Sequence, residues 1–231
     1  MNYWNEDGLL RAQTYENDQN MILRLAYYHL FSGDKTEEHF QNACKALGRM
    51  HDDGRWAQHP YCTWEEDRAS HDELTAILYF LTIARKKFWD GGVIKQRSML
   101  RSQAADLAAL YLSYNIIRKQ IRISYYLKYI QIIFYLLAIK HKSKIFLYPA
   151  VWIIYFGVKD KERANNGHWD TDSELLALLK IDTIEREFGK MPMKEKIMGK
   201  IKEHWGDNYQ KELIDSMLHY APEHPLRQLF V

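Results

Sequence analysis

Two stretches of the 231-residue chain bring imidazole, carboxylate and indole side chains into close succession. The first runs from Trp56 through His59-Pro60, Trp64 and Asp67 to Ser70-His71-Asp72-Glu73. Histidine changes charge near neutral pH, and a neighbouring carboxylate orients it or raises its pKa. His59 or His71 beside Asp67 or Asp72 would therefore make an acid–base pair, as hydrolytic and lyase reactions require. The second stretch, Asn165-Asn166-Gly167-His168-Trp169-Asp170-Thr171-Asp172, repeats the form: a polar loop, a histidine, a tryptophan, then acids. The expected catalytic groups are His71, Asp72, His59, His168 and Asp170. Trp56, Trp64, Asp67 and Trp169 are the expected ligand contacts, because aromatic faces beside carboxylates hold sugars and planar ligands. Trp is equally a core anchor with a polar handle.

Imidazole and carboxylate could also hold a divalent metal. Neither H-E-x-x-H nor H-x-x-x-H occurs, so no metal ligands and no cofactor are assigned. The pattern has a purely structural alternative too. Ser70-x-x-Glu73 and Thr171-x-x-Glu174 are capping boxes, in which the first residue and the glutamate satisfy free N–H groups at a helix start. His71 and Asp72 would then occupy a first turn that is normally exposed. A shared cleft requires both helix N-termini to open on one side of the domain.

The string His59-Pro60, Ser70-His71-Asp72-Glu73-Leu74 and Gly167-His168-Trp169-Asp170 resembles a pattern in uncharacterised helical proteins of phages and bacteria. In these an H-P loop precedes S-[HR]-D-[EQ], which opens an apolar helix. The resemblance covers mainly residues 40–85, with an echo at 165–180. It implies a viral or mobile-element origin and a loop that is more than a cap. It implies no particular activity.

The elements that must position these groups read as helices. Only 11 glycines and 5 prolines punctuate the chain, whereas a mostly β-protein shows turn signals every 8–12 residues or so. Apolar spacing of i, i+3, i+4 and i+7 marks helices over Asn17–Phe31, Thr36–Met50, Ser70–Phe88 and Ser98–Asn115. Thr36 is the expected N-cap of the second, and Gly91-Gly92 the expected stop of the third. Residues 51–69 carry Gly54, Pro60 and five acids and read as a long irregular loop, a length that often signals function. Further helices are expected after Thr171 and over 194–219. The expectation is an all-α single domain of packed helical hairpins with about eight helices.

Residues 107–159 stand apart, with no Asp or Glu among 53 residues and eight Lys or Arg. Two apolar runs, 129–139 and 145–158, flank the basic knot Lys140-His141-Lys142-Ser143-Lys144. The second run suits a strand as well as a helix. This segment reads as central core helices, or as a surface for an anionic membrane or a protein partner. A non-enzymatic phage accessory or structural protein is the corresponding alternative to an enzyme. The whole-chain pI near 8.3 and the lack of any DNA- or RNA-binding motif argue against nucleic acid. The net charge of +2 hides segregation: residues 1–115 carry 13 bases and 16 acids, residues 116–231 carry 19 and 14.

Cys44 and Cys62 form no metal-ligand pair. No P-loop, G-x-G-x-x-G or G-x-S-x-G motif occurs, which argues against nucleotide-driven and α/β-hydrolase chemistry. The N-terminus has no basic start leading into an apolar run, so no secretory signal is expected. A soluble cytoplasmic protein is the default, with membrane or virion association as the variant.

Overall fold

Residues 21–27, Met-Ile-Leu-Arg-Leu-Ala-Tyr, contain no turn former, and all seven are buried. A helix that is apolar nearly all round has to sit inside the fold. This is α1 (Met21–Phe31) of a computed structural model that describes residues 2–11, 20–32, 37–52, 54–87, 91–118, 123–158 and 172–231. The side chains of residues 86, 87, 91, 124, 125 and 172 also lie outside the description. A second central helix is α3 (His71–Lys87), buried from Glu73 through Ile83. The third is α7 (Asp172–Phe188), whose Leu175, Leu176 and Leu179 are buried. α3 packs against both α1 and α7.

The remaining elements wrap this centre. α2 (Glu37–Met50) buries Phe40, Ala43, Ala46, Leu47 and Met50 along one stripe, and its first turn holds Glu37 and Glu38, as the helix dipole favours. α4 (Gly91–Ile117), α5 (Ile123–His141) and α6 (Leu147–Gly157) follow one another as hairpins, α4 packing on α5 and α5 on α6. A single 3-10 turn at Lys144–Phe146 leads into α6. α8 (Lys194–Trp205), α9 (Tyr209–Met217) and the short α10 (Pro225–Gln228) close the chain. The fold is all-α, with ten α-helices among the described residues. The apolar side chains of the three central helices and of α2, α4–α6 and α8–α10 meet in one continuous core.

Three expectations change. α4 begins at Gly91 and runs through the glycine pair read as a stop. Val93, Arg97, Leu100 and Ala104 are buried at helical spacing, and that packing outweighs the roughly 1 kcal/mol that each glycine costs a helix. The ambiguous run at 145–156 is helical, because α6 buries Leu147, Ala150, Val151 and Ile154 on one side. The loop at 51–69 is not wholly irregular. His51–Asp52 pairs antiparallel with Arg55–Trp56, turning at Gly54 with φ +78°.

That small hairpin is clamped from α4. The Trp56 N–H donates to Gln103 Oε1 at 2.6 Å, and Gln103 Nε2 donates to the Trp56 carbonyl at 3.0 Å. Trp56 and Gln103 are both buried. Replacing Gln103 by Leu removes the partner of a buried N–H. It should cost about 1–3 kcal/mol of stability, read as a lower denaturation midpoint with an unchanged slope. An unaltered midpoint would mean that water reaches Trp56.

Candidate functional site

The start of α3 supplies the first groups. Ser70 caps the helix, its Oγ accepting from the Asp72 N–H at 3.2 Å. The rest of the expected capping box is rearranged. Ser70's own N–H donates to Gln58 Oε1 at 2.8 Å, while its hydroxyl donates to Glu73 Oε2. Glu73 is thus displaced from the backbone N–H it was expected to satisfy, and it is fully buried. Its other oxygen has no hydrogen-bond partner of ordinary geometry among the described residues. Burial, and then the charge on Asp72, push this carboxyl up to about 7, against the Ser70 and Gln58 contacts.

His71 is also buried, contrary to the exposed first turn expected from its position. Its Nδ1 lies 2.8 Å from Asp72 Oδ1, and its Nε2 lies 3.1 Å from Lys180 Nζ on α7. Burial and the Lys180 charge hold the imidazole down to about 3, against the pull of Asp72. The ring is therefore neutral at ordinary pH. One tautomer satisfies both contacts: Nδ1–H donates to Asp72, and Nε2 accepts from Lys180. Burial opposes ionisation of Asp72. The His71 hydrogen bond and the Lys128 and Lys180 charges outweigh it and bring the carboxyl to about 2.

From Lys180 the chain of contacts continues into α5 and α6. Lys180 Nζ donates to Gln131 Oε1 at 2.8 Å, and Gln131 Nε2 donates to the Ala150 carbonyl at 3.1 Å. Burial and the neighbouring Lys128 lower the Lys180 amine to about 7, despite the Asp72 charge. Tyr129 sets its ring edge-on to His71, with centroids 6.0 Å apart. Beside Lys180 and Gln131, between α3, α5 and α7, lies a cavity of about 30 Å³ walled by Leu78, Ile132 and Ile184. That is room for about one water molecule.

Not all the expected groups join this cluster. His59 turns toward Tyr61, with ring centroids 6.2 Å apart, and it is Gln58 that reaches Ser70. Asp67 contributes its carbonyl to the Gln58 N–H, closing the neck of the loop. Trp56 is a core side chain, and Trp64 lies between the guanidinium groups of Arg55 and Arg68 at 3.9 and 4.3 Å. His168, Trp169 and Asp170 lie outside the described residues, as does the side chain of Asp172. Among the described residues, no three His, Cys, Asp or Glu side chains converge as a metal ion would need. Cys44 and Cys62 are reduced thiols.

Lys180 and Gln131 were missed from sequence. Each left a signal. Lys180 sits on the inward stripe of α7, four residues after Leu176 and three before Thr183, where a charge is out of place. Gln131 is the one amide in the apolar run 129–139.

Comparison with family models, with curated proteins and with solved structures gives no match to this chain.

Glu73 holds its proton more tightly in the fold than in the unfolded chain. Its stabilising contribution is complete below about 4.5, its ordinary value, and is lost as pH rises through about 7. Glu73→Gln keeps the shape and removes the charge. The variant should gain stability relative to the parent between about pH 5 and about pH 8, on the order of 2–3 kcal/mol. Urea denaturation at the two pH values measures it. A pH-independent difference would mean that Glu73 is ionised in the fold.

Proposed function

We propose that the chain binds the surface of an anionic membrane through its acid-free central segment. One observation carries this reading. Of the fifteen large apolar side chains exposed among the described residues, eleven fall within 107–159, less than a quarter of the chain. They cluster at the hairpin between α4 and α5 and along the outer face of α6. At the hairpin Ile116, Ile117 and Ile123 are 59, 80 and 59% exposed, and the last two turns of α4 bury only Asn115. Along α6 and its 3-10 turn, Ile145, Tyr148, Trp152 and Phe156 form an outward stripe. A monomer in water rarely leaves so much apolar surface open without a use.

Charge selects the partner. The segment has no carboxylate, and Arg118, Lys119, Arg122 and Lys128 surround the hairpin in sequence. Each base near an anionic surface contributes about 1 kcal/mol. Tyr114, Tyr148 and Trp152 suit the headgroup region. The antiparallel path sets α6 residue Ala150 opposite Gln131, so Phe156 is carried back toward the end of α5 that holds Leu127 and Ile123. The core still claims its share: Ile132, Tyr135 and Leu136 of α5 are buried. No described helix is long and apolar enough to cross a bilayer, so contact is at the interface.

Flotation with phosphatidylserine vesicles tests the proposal. The protein should float at low salt, less so as salt screens the charges, and not with neutral phosphatidylcholine alone. Ile116→Ser with Ile117→Ser should weaken partitioning about tenfold or more, with the melting temperature unchanged. Protein that stays at the bottom of the gradient at low salt overturns the proposal. So does a patch buried in a stable dimer with no flotation.

A second reading rests on the Asp72–His71–Lys180 chain. An amine near its midpoint at neutral pH, with an oriented neutral imidazole to accept its hydrogen bond, suits the Schiff-base chemistry of lyases. The one-water cavity beside Lys180 limits this reading to a very small carbonyl substrate. Glyoxylate trapped with borohydride should label Lys180 preferentially, half-maximally near pH 7. Labelling no greater than that of the exposed Lys211 removes this reading.

A further inference from the structure

A second, larger concavity opens at the other end of α5, where the ends of α3, α4, α5 and α7 meet. Its volume is about 670 Å³, within the range of roughly 300–1,000 Å³ typical of small-molecule sites. Its charged lining is Arg85, Arg97, Arg101, Lys140, Lys142 and the single carboxylate Glu187.

The carboxylate is already committed. Glu187 takes Arg85 on both oxygens, at 2.8 and 3.2 Å, and also accepts from Arg97 at 3.2 Å. Arg97 is buried and further fixed by donation to the Thr82 hydroxyl at 3.0 Å, while its Nε has no hydrogen-bond partner among the described residues. This pairing makes a rigid, net-positive floor. Above it, the side chains of Arg101, Lys140 and Lys142 form no ion pair or hydrogen bond among the described residues. A last-turn cation complements a helix dipole, which accounts for Lys140 on α5 but not for Arg101 in the middle of α4. Leu136, Ile139 and Phe188 supply an apolar wall.

We infer that this cleft binds a phosphorylated small molecule with an apolar or planar body, of the nucleoside phosphate class. Guanidinium groups match phosphate oxygens in a fork geometry, and lysines add point charge. The apolar wall and the volume accommodate the body. From Ile123 to Lys140 an α-helix rises about 25 Å, so the cleft lies well away from the apolar hairpin and does not depend on the vesicle-binding proposal.

Fluorescent trinitrophenyl-ATP, titrated into the full chain at near-physiological salt, is the test. Saturable single-site binding is expected, displaced by ATP and by inorganic pyrophosphate but not by adenosine. Arg101→Gln with Lys140→Gln should weaken it about tenfold or more with an unchanged thermal melt. Conservative Arg101→Lys with Lys140→Arg should retain most of it. Absence of saturable binding, or binding unaffected by the glutamines, overturns the inference. Displacement by dioctanoyl phosphatidate in preference to ATP overturns the soluble-ligand assignment in favour of a lipid headgroup. Displacement only by oligonucleotides, with multi-site stoichiometry, does so in favour of a nucleic-acid surface.

Discussion

A helix buried on nearly all sides has to satisfy its polar side chains from inside the fold, and α3 is such a helix. Its answer is a line of hydrogen bonds that leaves through His71 and ends at a backbone carbonyl of α6. Asp72, His71, Lys180, Gln131 and Ala150 are linked in order. Each link crosses from one element to another after the first, so the line fixes how α3, α7, α5 and α6 sit against one another. The threonines of α3 need no such help, because Thr75 and Thr82 donate to carbonyls four residues back. Buried networks of this kind are stable only when every member is satisfied. The neutral His71 is what makes the line possible, since protonation would turn an Nε2–H donor toward the Lys180 ammonium.

The same constraint separates the surfaces. With hydrophobic packing and this polar line filling the centre of the fold, substrate-sized space opens where the ends of α3, α4, α5 and α7 splay apart. Arg97 and Glu187 brace one such place, joining α4 to α7. At the far end of α5 none of the described elements covers the hairpin, and Ile116, Ile117 and Ile123 face outward. The acid-free sequence therefore has two physical roles along one helix. Apolar side chains dominate at its start, and uncompensated cations gather at its end.

Much of the helical layout was legible because buried stripes and end signals coincide. Ser70 is a cap in both sequence and structure, and α3 starts at the next residue. α2 was expected to bury Phe40, Ala43, Cys44 and Leu47 on one face; three of these are buried, Cys44 is half-buried, and Ala46 and Met50 complete the stripe. The hairpin at 51–56 was less legible, since its strands are two residues long and the Asp53-Gly54 turn signal had no alternating run beside it. The start of α4 was hidden by glycines that tertiary packing overrides. Segment 145–156 is apolar on every side, so periodicity alone could not say which face meets the core. Helix ends can be read locally; which helices face one another cannot. That is why Lys180 escaped notice as a partner of His71, 109 residues away.

The Gln103 clamp has one more consequence. A two-stranded sheet presents bare edges, and an open edge is a template on which another chain can add a strand. At Trp56 both main-chain groups bond to an amide side chain that imitates a third strand, and the carbonyl also accepts from the Ala69 N–H at 3.1 Å. The edge is thus terminated from within the same molecule. A glutamine placed on a helix, beside the chain's own residues 68–69, acts as a guard against cross-chain β-pairing at this edge.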